Sequence, residues 1–302
     1  MNYYNEIKKQ LISNEIYKKA KDYSKNKSDL NTYYIVGKLI VEAQGGELRA
    51  KYGDNLIKDY SIRLTNELGR GYSTRSLKNM RKLYLFVQKG QPLDAQLTWS
   101  HYISLLTLKN KNEINYYIDQ IKKNSLSKRE LIDKIKNKEY ERLSKETKEK
   151  LFNNEKNEVS DFIKKPVLIK NNKNYHKVNE KILKQLILED LDNFLSELGE
   201  DFCYKGNEYK IKLGDRYNYI DLLLFNIKFN CYVVVELKVT ELKAEHIGQI
   251  KKYMNYMDKN IRKITQEKTI GIIICKKENQ FIMEYCSDDR IFETIYKVEE
   301  RL

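Results

Sequence analysis

Residues Asn218 to Lys238 read NYIDLLLFNIKFNCYVVVELK, and no other stretch restricts the fold of the chain as much. Two apolar runs, Tyr219 to Phe225 and Cys231 to Leu237, flank a short polar and aromatic break, the pattern of a hairpin of buried strands. Each run carries acid where a core strand ordinarily has none. Alternate side chains of a strand share a face, so Glu236 and Lys238 point one way while Val235 and Leu237 point the other. Asp221 opens the first run and is followed at once by Leu222, Leu223 and Leu224. A carboxylate in such surroundings is costly unless it is paired or holds a cation. Two readings of the residues follow: a metal site, or a buried ion pair that ties two strands together.

The chain has 302 residues, which favours two domains over one. Its 57 Lys and Arg against 43 Asp and Glu leave a net charge of +14, which favours a polyanionic partner such as nucleic acid over an acidic small molecule. Cys203, Cys231, Cys275 and Cys286 are too scattered for a zinc ribbon or a disulfide framework and fit free thiols in a reducing cytoplasm. The first twenty residues have no apolar signal region, and no run approaches the ~18 apolar residues of a membrane span. A cytoplasmic protein without a membrane partner is expected.

Residues 1–150 have helical periodicity throughout. Tyr34, Gly37, Lys38 and Val41 fall in a helix that Gly45 and Gly46 should end, and a second helix from Leu56 to Leu68 should close at Gly69. In the next segment, GRGYSTRSLKNMRKLYLFV, Ser73 or Thr74 can cap a helix whose buried stripe is Leu77, Met80, Tyr84 and Val87. Arg75, Lys78 and Lys82 share a separate face, helped by Arg70 and Arg81, and no acid interrupts Gly69 to Lys89. This outline matches a helix-turn-helix, whose second helix can enter a major groove; the same cations also fit a plain solvated face. Trp99 and His101 read as core and helix-start residues, and Ser127 with Glu130 forms a capping box ahead of Leu131 and Ile135. The charged residues 151–174 are expected to link this domain to a second one over 175–302, with Pro166 marking the arrival.

In the second half, Asn179 to Leu198 predicts one amphipathic helix with Leu183, Ile187, Leu191, Phe194 and Leu198 on its stripe, ended by Gly199. Strands follow at Phe202 to Leu213 and in the two acid-bearing runs, then a helix from Leu242 to Met257 and a buried strand from Thr269 to Cys275. The order is αβββαβ, with Asp221 on the second strand and a Glu-x-Lys on the third. With IDLLL, VVVELKV and GQIKKYMNYM in that order, the chain resembles the PD-(D/E)XK nuclease superfamily. It is most similar to a bacterial family that joins an N-terminal helical domain of uncharacterised function to such a nuclease domain. YYIVGKLIVEAQGGELRAKYG, RLTNELGRGYSTRSLKNMRKLY and LTWSHYISLL carry the likeness on the N-terminal side, and KKPVLI, FLSELGEDF and GIIIC on the C-terminal side. The fold class expected is therefore α+β in two domains: an all-α, helix-turn-helix-like domain and an α/β restriction-endonuclease-like domain.

The resemblance implies a phosphodiesterase. Phosphodiesters resist attack because their negative charge repels nucleophiles; Mg²⁺ or Mn²⁺ screens that charge and acidifies water. Hard cations take oxygen ligands, so Asp221 is expected as the central ligand, Glu236 as the second, and the Leu237 carbonyl as a third. Lys238 would position the attacking water or stabilise the transition state. By resemblance alone, Glu189 matches the acid that the superfamily carries on its first core helix, with Glu197 as an alternative, and Gln249 the glutamine of the helix after the lysine. Ile220 stands where the superfamily name has proline, a departure that removes no ligand. The function expected is a Mg²⁺-dependent endonuclease acting on DNA, in DNA processing or defence, with RNA as another substrate that phosphate contacts would admit. The alternative is a non-catalytic nucleic-acid-binding regulator that uses the helical domain. The resemblance also suggests a homodimer.

Overall fold

The computed structural model describes residues 3–300 apart from 19–24, 47–52, 92, 154, 157, 159, 160, 162, 174 and 200. The chain divides into two compact units, Met1–Tyr140 and Glu141–Leu302.

The first unit is helical: α1 (Tyr3–Lys18), α2 (Lys25–Ala43), α3 (Gly53–Leu68), α4 (Thr74–Gln88), α5 (Trp99–Leu105), α6 (Lys111–Asn124) and α7 (Lys128–Lys136). Helices α2 and α4 cross at Gly37, where a β-carbon would lie 2.1 Å from the carbonyl oxygen of Met80. Only hydrogen fits there, so the two backbones touch. The double glycine ends α2: the Gly46 N–H donates to the Val41 carbonyl at 3.0 Å from a left-handed conformation, φ +102°. Gly69 closes α3, and after a short turn the Ser73 hydroxyl caps α4 by accepting the Ser76 N–H at 3.2 Å.

The buried stripe of α4 is Leu77, Met80, Leu83 and Phe86; Tyr84 and Val87, expected in it, are half-buried on its flank. Contacts on two sides account for the shift. Phe86 meets Tyr102 of α5 edge-on, and Tyr84 turns to Tyr34 of α2. Trp99 packs on Tyr33 with ring centroids 4.7 Å apart, and His101 accepts the Thr98 N–H at Nδ1, closing a capping box. The box of Ser127 and Glu130 forms as well, with Leu131 buried behind it.

The second unit comprises α8 (Lys145–Asn153), β1 (Val167–Asn171), α9 (Glu180–Glu189), α10 (Leu191–Leu198), β2 (Phe202–Leu213), β3 (Arg216–Asn226), β4 (Cys231–Leu237), α11 (Ala244–Asn260), β5 (Ile270–Cys275), α12 (Gln280–Cys286) and β6 (Ile291–Glu300). Its sheet runs β1-β6-β5-β4-β3-β2; β1, β6, β5 and β4 are parallel neighbours, and β3 and β2 are antiparallel. The αβββαβ core is therefore extended by a strand at each end of the sequence. One such strand, β1, lies inside the stretch 151–174 expected as linker. Its Val167, Leu168 and Ile169 are buried against the parallel neighbour β6, an apolar triplet that the surrounding lysines concealed.

Two cores cover the sheet. On one face Leu183, Ile187, Phe194 and Leu198 meet Val233, Val235, Leu237, Ile272 and Ile274. On the other, Ile247, Ile250, Met254 and Met257 of α11 meet Leu223, Val234 and Ile273. Gly271 lets α11 lie close, since a β-carbon there would come within 2.7 Å of the Met254 sulfur. The expected single helix 179–198 is two helices, broken at Asp190, whose backbone leaves helical geometry (φ −136°, ψ 60°) and whose carboxylate is held by Lys170 Nζ at 3.1 Å. All four cysteines are free thiols, and no helix among the described residues is long and apolar enough to cross a membrane.

Candidate active site

The last paired rung between β3 and β4 is Leu222 with Val235. Beyond it β3 continues with β2 as far as Arg216, while β4 stops at Leu237, so the two acid-bearing strands part where Asp221 and Glu236 stand. Opening a sheet leaves main-chain groups unpaired, and Asp221 takes up one of them: its Oδ2 accepts the Leu237 N–H at 3.0 Å. Its Oδ1 accepts from Lys184 Nζ of α9 at 3.2 Å, and the same ammonium reaches Glu208 Oε1 at 2.6 Å.

Glu236 is the most buried acid of the group, 1 % exposed. Its Oε2 accepts from Lys238 Nζ at 3.3 Å, and its Oε1 is buried with no hydrogen-bond partner. Burial chiefly, with the neighbouring Asp221 charge second, pushes the Glu236 carboxyl up to about 7 against the pull of Lys238. Helix α11 closes the site. The Tyr253 hydroxyl is raised by burial and feels Glu236, Lys238 and Asp221, and Gln249 Nε2 donates to it at 3.1 Å. His246, one turn before Gln249, is held below its usual value by burial and by the Lys238 charge, and its Nδ1 accepts the Lys243 N–H at 3.2 Å.

The structure thus brings Asp221, Glu236 and Lys238 together, with Gln249 alongside through Tyr253. It does not bring Glu189 to them. Glu189 ends α9 in the grip of Lys173 Nζ at 2.5 Å and Gln185 Nε2 at 2.8 Å, about 140° around the helix from Lys184. Glu197 is structural: its carboxylate binds the Arg142 guanidinium and accepts the Leu168 N–H at 2.8 Å.

Sequence reasoning missed Lys184, Tyr253, His246 and Glu180, the last being the acid of α9 whose charge reaches His246. Glu180 and Lys184 are four residues apart and share a helix face, a signal that the apolar stripe of α9 obscured.

Among the described residues no three His, Cys, Asp or Glu side chains converge as a ready cage for a metal. Two carboxylates suffice for Mg²⁺, which keeps several waters and takes further oxygens from phosphate. A buried carboxylate oxygen without a donor, beside a second carboxylate, fits such a cation. In the helical unit, Arg70, Arg75 and Lys82 are exposed, Lys78 is half-buried, and Arg81 Nε donates to Gln44 Oε1 at 2.6 Å.

Residues 7–142 match the DUF1016 N-terminal domain and residues 160–298 the YhcG PDDEXK nuclease domain. The chain is 28 % identical over 286 residues to YhcG of Escherichia coli (strain K12), a protein named as a candidate nuclease, covering 82 % of this chain and 76 % of that one. Among solved structures, it is similar to a repair endonuclease from Pyrococcus abyssi (TM-score 0.29, 19 % identity, 40 % of this chain and 47 % of that one). A second is a complex of EndoMS with double-stranded DNA (TM-score 0.29, 16 % identity, 42 % and 48 %). The chain spans about half the length of each of these two structures. The two family matches lie end to end along the sequence, over the helical unit and over the acid-bearing sheet, so the chain carries a DUF1016 N-terminal domain followed by a YhcG-type PDDEXK nuclease domain.

Proposed function

We propose that the chain is a divalent-metal-dependent endonuclease that hydrolyses phosphodiester bonds in DNA. The observation that carries this reading is the buried, donorless Oε1 of Glu236 beside the Asp221 carboxylate, with the Lys238 ammonium on the same group. When bound, Mg²⁺ or Mn²⁺ would supply acidification of water and neutralisation of the charge that grows on the phosphate.

In this reading Asp221 and Glu236 hold the cation, with the Leu237 carbonyl oxygen as a third ligand. Lys238 shares the face of Glu236 and presents its ammonium to the phosphate oxygens, where it offsets developing negative charge. Gln249 and Tyr253 form a polar wall on α11 that orients the nucleophile. Lys173 and Gln185 hold Glu189 on their own side of α9, and Lys184 balances the Asp221 charge.

Residues 1–150 would serve as a nucleic-acid-binding or partner-binding domain, with Arg70, Arg75, Lys78 and Lys82 on phosphate and Arg81 steadied by Gln44. The net charge of +14 supports a polyanion as partner, and a homodimer would carry two such centres. Labelled duplex, branched and single-stranded DNA, with an RNA arm, would be incubated with the protein in Mg²⁺. Cleavage should need the metal and the Asp221 carboxylate. Equal cleavage by wild type and Asp221→Ala would overturn the reading, and cleavage of RNA alone, dependent on metal and on Asp221, would move the substrate to RNA.

A further inference from the structure

We propose that the outer face of the β2–β3 hairpin binds an unpaired strand of nucleic acid and leads it to Asp221. The inference rests on the nuclease reading and names the form of substrate that the site takes.

Where β4 falls away, β2 and β3 continue alone, with Lys210 opposite Tyr219 and Lys212 opposite Tyr217. Residues opposed in an antiparallel pair share a face, so these four form one lattice of two tyrosines and two lysines. Tyr217 and Tyr219 are 55 % and 51 % exposed. The Lys210 ammonium stands 3.9 Å from the centre of the Tyr217 ring, and Lys212 lies 5.9 Å from it. The opposite face of the same hairpin carries Ile211, which is buried in the sheet's core. The tyrosines are therefore on the outside by the strand's own alternation.

Strand β2 is the edge of the sheet, and lysines on an edge strand can be explained as a guard against strand-to-strand association. That account covers Lys210 and Lys212 but not two half-exposed phenol rings, which leave apolar surface in water. Rings set among cations are what unpaired nucleic acid needs. Each ring offers a face for a base, while the ammonium groups meet the phosphates. Bases inside a duplex already stack on each other and have no face to give.

Continuity with the active centre supports the assignment. Tyr217, Tyr219 and Asp221 alternate along β3, so the platform and the carboxylate follow one another on one strand, with Tyr219 about 7 Å from Asp221 along the chain. At the junction, Glu208 and Asp221 are bridged by Lys184, which keeps the end of the path from being an uncompensated acidic barrier.

The test uses the full chain in EDTA, with fluorescence anisotropy of a labelled single-stranded DNA oligonucleotide and of a blunt duplex of the same sequence. The double variant Tyr217→Ser/Tyr219→Ser should weaken single-strand binding about 100-fold, about tenfold per ring. Duplex affinity should change by less than about threefold. Phenylalanine at both positions keeps the ring faces and should restore single-strand binding to within about twofold of wild type. Lys210→Gln/Lys212→Gln should reduce the slope of log affinity against log salt by about 1.4 for the single strand.

Unchanged single-strand affinity in the serine variant would overturn the proposal, as would equal losses for single strand and duplex. Because binding is read without metal, the nuclease reading fails separately. A chain that binds as expected but cleaves nothing in Mg²⁺ sinks only the hydrolase. A chain that cleaves through Asp221 and ignores the serine substitutions sinks only the strand path.

Discussion

Leu237 donates its main-chain N–H to Oδ2 of Asp221 at 3.0 Å, one step past the last paired rung of β3 and β4. The carboxylate thus stands in for a missing strand partner while it supplies charge to the site. Asparagine can keep the acceptor and lose the charge. Asp221→Asn should therefore fold within about 1 kcal/mol of wild type and cleave DNA at least about 100-fold more slowly. Asp221→Ala also strips the partner from the Leu237 N–H and from Lys184, and should be less stable than the asparagine variant by about 1–3 kcal/mol. Denaturant melts and cleavage time courses on both variants separate the two roles. Wild-type cleavage by the asparagine variant would remove charge from the account.

Glu236 gives the metal-free protein a pH signature. Its carboxyl titrates near 7 in the folded chain and at 4.5 when unfolded. Below 4.5 the group is protonated in both states and its contribution to stability is complete. Between 4.5 and 7 only the unfolded state releases the proton, so that contribution is lost as pH rises, on the order of 3 kcal/mol in all. In EDTA, wild type should lose stability from pH 5 to pH 7.5 relative to Glu236→Gln, which lacks the titration. Added Mg²⁺ should stabilise wild type more as pH rises through 7, because the cation takes the ionised carboxylate. Urea unfolding at several pH values measures both, and parallel curves for the two chains would contradict the assignment.

A cation held by Asp221 would have to compete with Lys184. Its ammonium is 3.2 Å from Oδ1, and hydrogen bonds to Glu208 and Asp221 hold its own titration up against burial. Lys184→Gln should tighten Mg²⁺ binding about fivefold, close to 1 kcal/mol for a pair that is partly open to solvent, while leaving the sheet folded. Isothermal titration of Mg²⁺ into both chains at low salt checks the sign. Weaker binding in the variant would mean that Lys184 organises the carboxylates instead of rivalling the metal.

The residues that could be read in advance are those whose neighbours in sequence are also their neighbours in space. Asp221, Glu236 and Lys238 lie on a hairpin, where strand alternation fixes which side chains share a face, and the Gly45, Gly46 and Gly69 caps are local to their helices. Lys184 and Tyr253 come to the centre only when α9 and α11 are laid on the sheet, which no local period records. Glu189 shows the converse. It lies at the margin of an apolar stripe, but the break at Asp190 and the cation Lys173, brought over from the segment before α9, bind it elsewhere. Strand β1 was hidden because lysines on either side of Val167, Leu168 and Ile169 outweigh them in any composition window.

Burial of an ion pair gives the second unit a weak point remote from the chemistry. Arg142 and Glu197 are both buried, the guanidinium also donates to the Pro166 carbonyl at 2.7 Å, and Glu197 caps the Leu168 N–H at the start of the sheet. Arg142→Met leaves a buried carboxylate without its cation and should cost about 3–5 kcal/mol. The double change Arg142→Met/Glu197→Leu should recover part of that loss, because it removes the stranded charge. Chemical denaturation of the single and double variants decides it, and a double variant no more stable than the single would show that the Leu168 contact dominates.

Gly37 makes a separate demand on the helical unit. A methyl group there would stand 2.1 Å from the Met80 carbonyl oxygen and 3.0 Å from the Tyr84 β-carbon, and the first of these is main chain that cannot swing aside. Alanine is the better helix former by roughly 1 kcal/mol, so on propensity alone Gly37→Ala would stabilise α2. The clash should win. Separating α2 from α4 opens the contact beneath Val36, Ile40, Leu77 and Met80, and overpacking of this kind costs about 1–3 kcal/mol or more. Because the two units have their own cores, the variant should lower the melting of the helical unit and leave the sheet of the second unit folded. Hydrogen exchange resolved along the chain is the suitable measurement: faster exchange in α2 and α4, with β3, β4 and β5 unchanged, is the expected result, and faster exchange throughout would show that the units unfold as one.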